Sequence, residues 1–486
     1  MFDRLNSFIA GFGLERLRRL DVVDQFQSLE DDDGKREAPE WLKSLRAPFL
    51  ECASMALLCN GGNASGDFRG IPLFQGDASR LKALAISHLP PWFPANYFPN
   101  LTHISLSFQK TDHLPHMQLL SLFSNTPMLE ISHMSFVRCE DQEGVRPDAW
   151  LTPISLPRLR LMAFTICTDQ ILSLIPHLDI PSHALVRVNK ATLSAAGPDA
   201  FLRTISLLGP WTELDVREHS YEEVHFALQG TTSGVWLQST HTRKDTSSPL
   251  WLNAVLTALP ARATLTSCLL DFEGIDPPVL GAFLRDAYCL TNLRLRAFTG
   301  AENSWEAVTR ATRAWCDALT PSGGAGAPTR PCPALRSLAV VSDMDRRFEY
   351  EDAIRAYARV MEHMLVAREE WGLPRLARVS LRPFMYDDED SSDSRSEESD
   401  YYSEQQEDTQ RLTEAAAPLR ALESHVEELV VLEPRRGDAV GRFEVREMWD
   451  VEGEEKYWQL NEDHYAQFFG GDSSPYRRYY RASSIY

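Results

Sequence analysis

A short apolar pattern recurs along the chain: leucine, two variable residues, an apolar residue, one variable residue, a second apolar residue. It reads Leu17-x-x-Leu20-x-Val22, Leu81-x-x-Leu84-x-Ile86, Leu101-x-x-Ile104-x-Leu106 and Leu159-x-x-Met162-x-Phe164. It continues as Leu290-x-x-Leu293-x-Leu295, Leu335-x-x-Leu338-x-Val340, Leu376-x-x-Val379-x-Leu381 and Val426-x-x-Leu429-x-Val431. Looser copies begin at Leu50, Leu129 and Leu265. The last two apolar positions lie two apart and so share one face of a short strand. The leading leucine closes the turn into that strand. Pro48, Pro99, Pro127, Pro157, Pro333 and Pro374 stand just upstream of six copies, where a proline stops a preceding helix.

Helical spacing of apolar residues fills the intervals, over 118–124, 169–175, 251–259, 279–288, 305–319 and 350–370. In the last window Ile354, Tyr357, Val360, Met361, Met364 and Leu365 form one stripe. A single strand-plus-helix unit buries only a thin face, so stacked copies must complete the core. Successive leading residues are 20 to 31 apart between 50 and 159, and wider after 265. Regular leucine-rich repeats run about 20–29 residues. Only Leu159 is followed at the ninth position by the polar or thiol residue of regular repeats, here Cys167, and the register between 185 and 260 is not readable. The expected fold is α/β: an irregular leucine-rich-repeat solenoid with short parallel strands on a concave face and helices on the convex one. Its parts are a body over 1–386, an acidic insertion over 387–410, a last repeat over 411–439, and a C-terminal cap with a tail over 440–486.

Charge sharpens that division. The net charge is -20, with 69 acidic against 49 basic side chains. Residues 387–408 hold eleven acids and one base, giving -10, and residues 411–486 hold fifteen acids and ten bases, giving -5. The body is therefore nearly balanced, and the acidity belongs to the C-terminal part. A polyanion such as nucleic acid, or an anionic membrane, is disfavoured as a partner. The acidic run has almost nothing to bury and is expected to be disordered, with Ser394 placed before Glu397 as a candidate phosphorylation site. The eight cysteines include no C-x-x-C pair, so most are expected to be buried, reduced core residues of a soluble protein of the cytoplasm or nucleus.

Segments such as Phe98-Pro-Asn-Leu-Thr-His-Ile-Ser-Leu106, Leu156-Pro-Arg-Leu-Arg-Leu161 and Cys332-Pro-Ala-Leu-Arg-Ser-Leu338 resemble the irregular repeats of fungal, mushroom-type, F-box proteins. The likeness covers roughly residues 15–435. It implies a substrate-recognition subunit, in which an N-terminal helical F-box docks on a Skp-type adaptor of a cullin ubiquitin ligase and the repeats hold a protein substrate. The first repeat-like unit already stands at Leu17, so residues 1–16 leave no room for that module, and a free-standing repeat scaffold is the alternative.

Chemistry-bearing motifs are sparse. His103, His113 and His116 lie close together, but Pro115 breaks the helix that would align a metal-binding pair, so they are expected in an exposed loop. The loop Gly61–Gly66 lacks the lysine of a phosphate cradle, and Arg436-Gly437-Asp438 reads as a turn. No catalytic constellation, metal site or cofactor site is expected, so the chain reads as a binding protein and not an enzyme. Positions flanking the inward strand residues point to the concave face and include Ser105, Ser107, Thr165, Arg294, Arg296, Ser380 and Arg382. The arginines among them suit an acidic partner.

Overall fold

The computed structural model describes residues 17–26, 40–59, 69–89, 92–108, 116–135, 152–194, 197–219, 223–240, 247–271, 275–297, 305–321, 323, 330–342, 350–382, 417–431, 451–453 and 456–457. The segment 387–410 with Ser394, the glycine loop 61–66, His113, and Arg436–Asp438 lie outside the described residues. The chain divides into two compact units, one of Met1–Leu208, Thr232–Thr240 and Phe443–Tyr486, the other of Gly209–Thr231 and His241–Arg442.

The first unit holds strands β1 (Arg19–Phe26), β2 (Cys52–Cys59), β3 (Arg69–Ile71), β4 (Ala83–Leu89), β5 (Trp92–Pro94), β6 (His103–Phe108) and β7 (Ile131–Ser135). It continues with β8 (Ile154–Ser155), β9 (Leu161–Thr165), β10 (Leu178–Asp179), β11 (Leu185–Ala191) and β14 (Gly234–Thr240). Its main sheet runs β1-β2-β4-β6-β7-β9-β11-β14 and every pair in it is parallel. Two small parallel pairs, β3 with β5 and β8 with β10, stand apart. Helices α1 (Glu40–Ser44), α2 (His116–Ser124) and α3 (Gly197–Leu208), with a 3-10 helix at Asp169–His177, complete the unit.

The second unit holds β12 (Glu213–His219), β13 (Glu223–Gln229), β15 (Ser267–Asp271), β16 (Asn292–Ala297), β17 (Ser337–Ser342), β18 (Leu376–Arg382) and β19 (Val426–Val431). Their order is β13-β12-β15-β16-β17-β18-β19, parallel throughout except the β12–β13 hairpin. Helices α4 (Ser247–Ala258), α5 (Pro277–Asp286), α6 (Trp305–Leu319) and α7 (Tyr350–Glu370), with a 3-10 helix at Ala417–His425, pack side by side in chain order.

All eleven sequence copies coincide with strands, and within each unit they stack in one register. In the first unit Leu20, Ala53, Leu84, Ile104, Ser132, Met162 and Val186 occupy successive rungs of one row. Cys268, Leu293, Leu338, Val379 and Leu429 do the same in the second. A fixed distance from turn to strand produces this alignment. The leading leucines Leu81, Leu101, Leu129, Leu159, Leu265, Leu290 and Leu335 are buried to within one per cent of completely. Each such side chain contributes about 2 kcal/mol by leaving water.

The prolines act differently from the expectation. Leu50, Leu101, Leu129, Leu159 and Leu335 donate their amides to the carbonyls three residues back, at Ala47, Phe98, Thr126, Leu156 and Cys332. That places Pro48, Pro99, Pro127, Pro157 and Pro333 at the second position of a four-residue turn, where the fixed proline φ is already correct. Pro374 does follow a helix end. There Gly372, at φ +66°, sits just beyond α7, Leu373 donates to Arg368 O, and Gly372 donates to Glu369 O. This is the double-bonded glycine cap that terminates helices.

Where the sequence was unreadable, the leading leucine is replaced. Trp211, 3% exposed, takes its place in Trp211-x-x-Leu214-x-Val216, and the Thr212 carbonyl accepts the amides of Thr266 and Ser267. Thr266 and Thr291 carry out the same role for the two strands that follow. Before β11 and β14 the corresponding positions are the exposed His183 and Thr232. No helix among the described residues is long and apolar enough to cross a membrane.

Candidate functional site

Strand residues that point away from the helices form the candidate binding face, and its two parts differ in accessibility. In the first unit the face is largely closed over β6, β7, β9, β11 and β14, whereas Arg19 and Asp21 on β1 are exposed. Ile131, Leu161, Ala163, Leu185 and Trp236 are buried there, and so are the polar residues His103, His133, Arg187, Asn189 and Gln238. Ser105, His133, Ala163, Arg187 and Trp236 stand on one rung. Burial, with the positive charges of Arg187 and His103, lowers the His133 pKa to about 3, so its ring is neutral at ordinary pH. The carboxamide oxygen of Asn189 and the hydroxyl of Ser107 are buried with no hydrogen-bond partner among the described residues. Ser107 was expected on an open surface but is only 7% exposed, and Ser105 and Thr165 are half-buried.

Part of this closure comes from the C-terminal segment of the same unit. Arg160 Nη1 donates to the Glu452 carbonyl at 2.9 Å, and Val451 is buried. His103 Nε2 lies 3.0 Å from the Gly453 carbonyl, so this nitrogen carries the proton and donates. Its Nδ1 lies 2.8 Å from Thr102 Oγ1, and the Tyr457 ring meets the imidazole edge-on at 4.8 Å. His103 is therefore a buried strand residue, not the exposed loop histidine expected from sequence, because this segment covers it. Desolvation lowers its pKa, opposed by the Gly453 carbonyl. His116 lies on α2, away from any set of three metal-ligating groups among the described residues.

In the second unit His225, Ala227 and Gln229 on β13 are still buried, and from β12 onward the face opens. Asp215 and Arg217 form a two-point ion pair on β12, with both contacts at 2.8 Å. Arg296 Nη1 reaches Asp271 Oδ2 at 3.1 Å on the neighbouring strand. Arg294 and Arg378 are exposed, and Arg378 Nε lies 3.3 Å from Ser380 Oγ and 3.8 Å from Glu428 Oε2. Val341 stands between Arg296 and Arg382 on their rung, so the two arginines are not adjacent. The structure thus brings Arg294, Arg296, Arg378 and Ser380 onto one accessible face and places Ser105 and Ser107 on the other unit. The candidate missing from the sequence list is Arg378, two residues before Ser380 on the same face. Its signal was present: it has the same alternation that selected Ser380 and Arg382.

Most of the described cysteines are buried. Cys52, Cys167, Cys268, Cys316 and Cys332 are buried thiols, and burial raises Cys316 and Cys332 to about 12. Cys289 is exposed. No protein-family model matches the chain, and no curated protein matches its sequence.

Proposed function

We propose that this chain is a non-catalytic protein-binding protein of the leucine-rich-repeat solenoid type. Its outward face on β15–β18 takes an acidic segment of a partner, and it serves as a substrate-recognition subunit related to F-box proteins. One observation carries the binding surface: the outward strand residues His103, His133, Arg187 and His225 are buried, whereas Arg294 and Arg378 are exposed. Arginine suits this role because its planar fork pairs with carboxylates at two points. The stacked register of the repeat units and the resemblance at residues 98–106, 156–161 and 332–338 support the family reading.

Affinity purification from the native cell, followed by mass spectrometry, tests both parts. The unaltered chain is expected to retain a protein that the double variant Arg294→Glu/Arg378→Glu loses. A Skp-type adaptor and a cullin are expected in both samples. Equal retention by the variant would remove the face from consideration, and absence of adaptor and cullin from both would leave a repeat scaffold without ligase coupling.

A further inference from the structure

On the helical side of the second unit, a groove of about 540 Å³ runs between α5 and α6. Its floor is made of small residues. A β-carbon on Gly281 would lie 4.0 Å from the Ala318 β-carbon, so the two helices approach closely there and no long side chain fills the channel. Its walls carry Arg285 from α5, with Arg310 and Arg313 one turn apart on α6, and Asp317 is the one carboxylate among the described lining residues. All three arginines are exposed. In a chain of net charge -20 this is a concentrated positive site, and it lies on the opposite side from the strand face described above.

We propose that this groove is a second docking site, for an acidic peptide segment of a partner protein. Charge complementarity selects the occupant. Guanidinium groups on facing walls can pair with carboxylates on alternate sides of an extended strand. The stretch of α5 from Pro277 to Arg285 is about 12 Å long at the helical rise, room for about four extended residues. The small-residue floor lets the peptide backbone lie low between the walls. A longer polyanion such as nucleic acid would carry its remaining charge over an acidic molecule and be repelled.

The test is fluorescence anisotropy of a fluorescein-labelled ten-glutamate peptide titrated with the full chain at low and moderate salt. Saturable binding that weakens as salt rises is expected. Arg310→Glu/Arg313→Glu should weaken it on the order of tenfold, and Asp317→Asn should tighten it about twofold. With the strand face removed by Arg294→Glu/Arg378→Glu, groove-dependent binding should remain, and Arg310→Glu/Arg313→Glu in that background should weaken it by the same factor. The substituted side chains are exposed, and an unchanged circular dichroism spectrum confirms folding of each variant. The proposal is overturned if no binding is seen, if Arg310→Glu/Arg313→Glu binds normally, or if only the strand-face variant loses the peptide. Tighter binding of a ten-nucleotide oligothymidylate than of the peptide would overturn it too.

Discussion

The side chain of Arg368 shows how one buried charge can organise several elements of the second unit. It is 2% exposed, and its guanidinium donates to the carbonyls of Leu319, Pro331 and Cys332 at 3.1 to 3.4 Å. It therefore joins the end of α7 to the end of α6 and to the turn entering β17. Desolvation lowers its pKa, opposed by Cys332, yet arginine remains charged at any ordinary pH. Arg368→Leu should cost about 2–4 kcal/mol in urea unfolding, because three carbonyls lose their donor. Arg368→Lys should recover less than half of that loss, since an ammonium cannot span the same three acceptors. His133 has the opposite relation to charge. With a folded pKa of about 3 against the ordinary 6.5, the unfolded chain takes up a proton between those values and the folded one does not. Its contribution is complete above about 6.5 and is lost as pH falls, by about 1.4 kcal/mol per pH unit. Urea unfolding at pH 7.5 and 5.5 should show this loss, and His133→Gln should reduce it. Among the thiols, brief maleimide labelling followed by peptide mapping should modify Cys289 while sparing Cys268, Cys316 and Cys332. A protonated, buried thiol is a poor nucleophile.

At the scale of the element, the unit that repeats is a turn joined to a strand, and the two parts contribute unequally. The proline sets the turn conformation, and replacing it mainly increases the freedom of the unfolded chain. Pro127→Ala should therefore cost only about 0.4–1 kcal/mol. The leucine after it fills the core, and Leu129→Ala should cost about 2–5 kcal/mol by the same denaturation measurement. If both substitutions cost the same, the turn would be contributing more than conformational restriction. The strands themselves were legible because their apolar alternation and their turn signal agree. Helix α7 was legible for a similar reason: of its stripe, Ile354, Tyr357, Met361, Met364 and Leu365 are buried and Val360 is half-buried. Helix α3 and the β11–β14 region carry no such agreement of signals. Their leading leucine is Trp211 at one strand and absent at two others, and a hairpin reverses direction between β12 and β13.

At the scale of the whole molecule, accessibility decides which of many similar strand faces can bind. The segment around Gly453 lies against residues 350 and 292 positions earlier in the chain, through His103 Nε2 on β6 and Arg160 Nη1 just before β9. Both contacts end on main-chain carbonyls, so they require the backbone of 452–453 more than its side chains. Joint replacement His103→Ala/Arg160→Ala should release that segment, seen as faster amide hydrogen exchange at 451–457, with strands β16–β18 unchanged. Unchanged exchange at 451–457 would mean that other contacts hold it.

The sequence by itself determined the repeating unit, the rows its apolar side chains occupy and most of the helices, because these follow from local periodicity and turn chemistry. It also located the arginine-bearing strands, since alternation assigns each residue to one face. It could not tell that one part of that face is closed, that Arg296 is held by Asp271, or that Arg285, Arg310 and Arg313 share a groove. Those facts depend on which distant segments meet. Burial and pairing are properties of the packed chain, decided by contacts between residues tens to hundreds of positions apart.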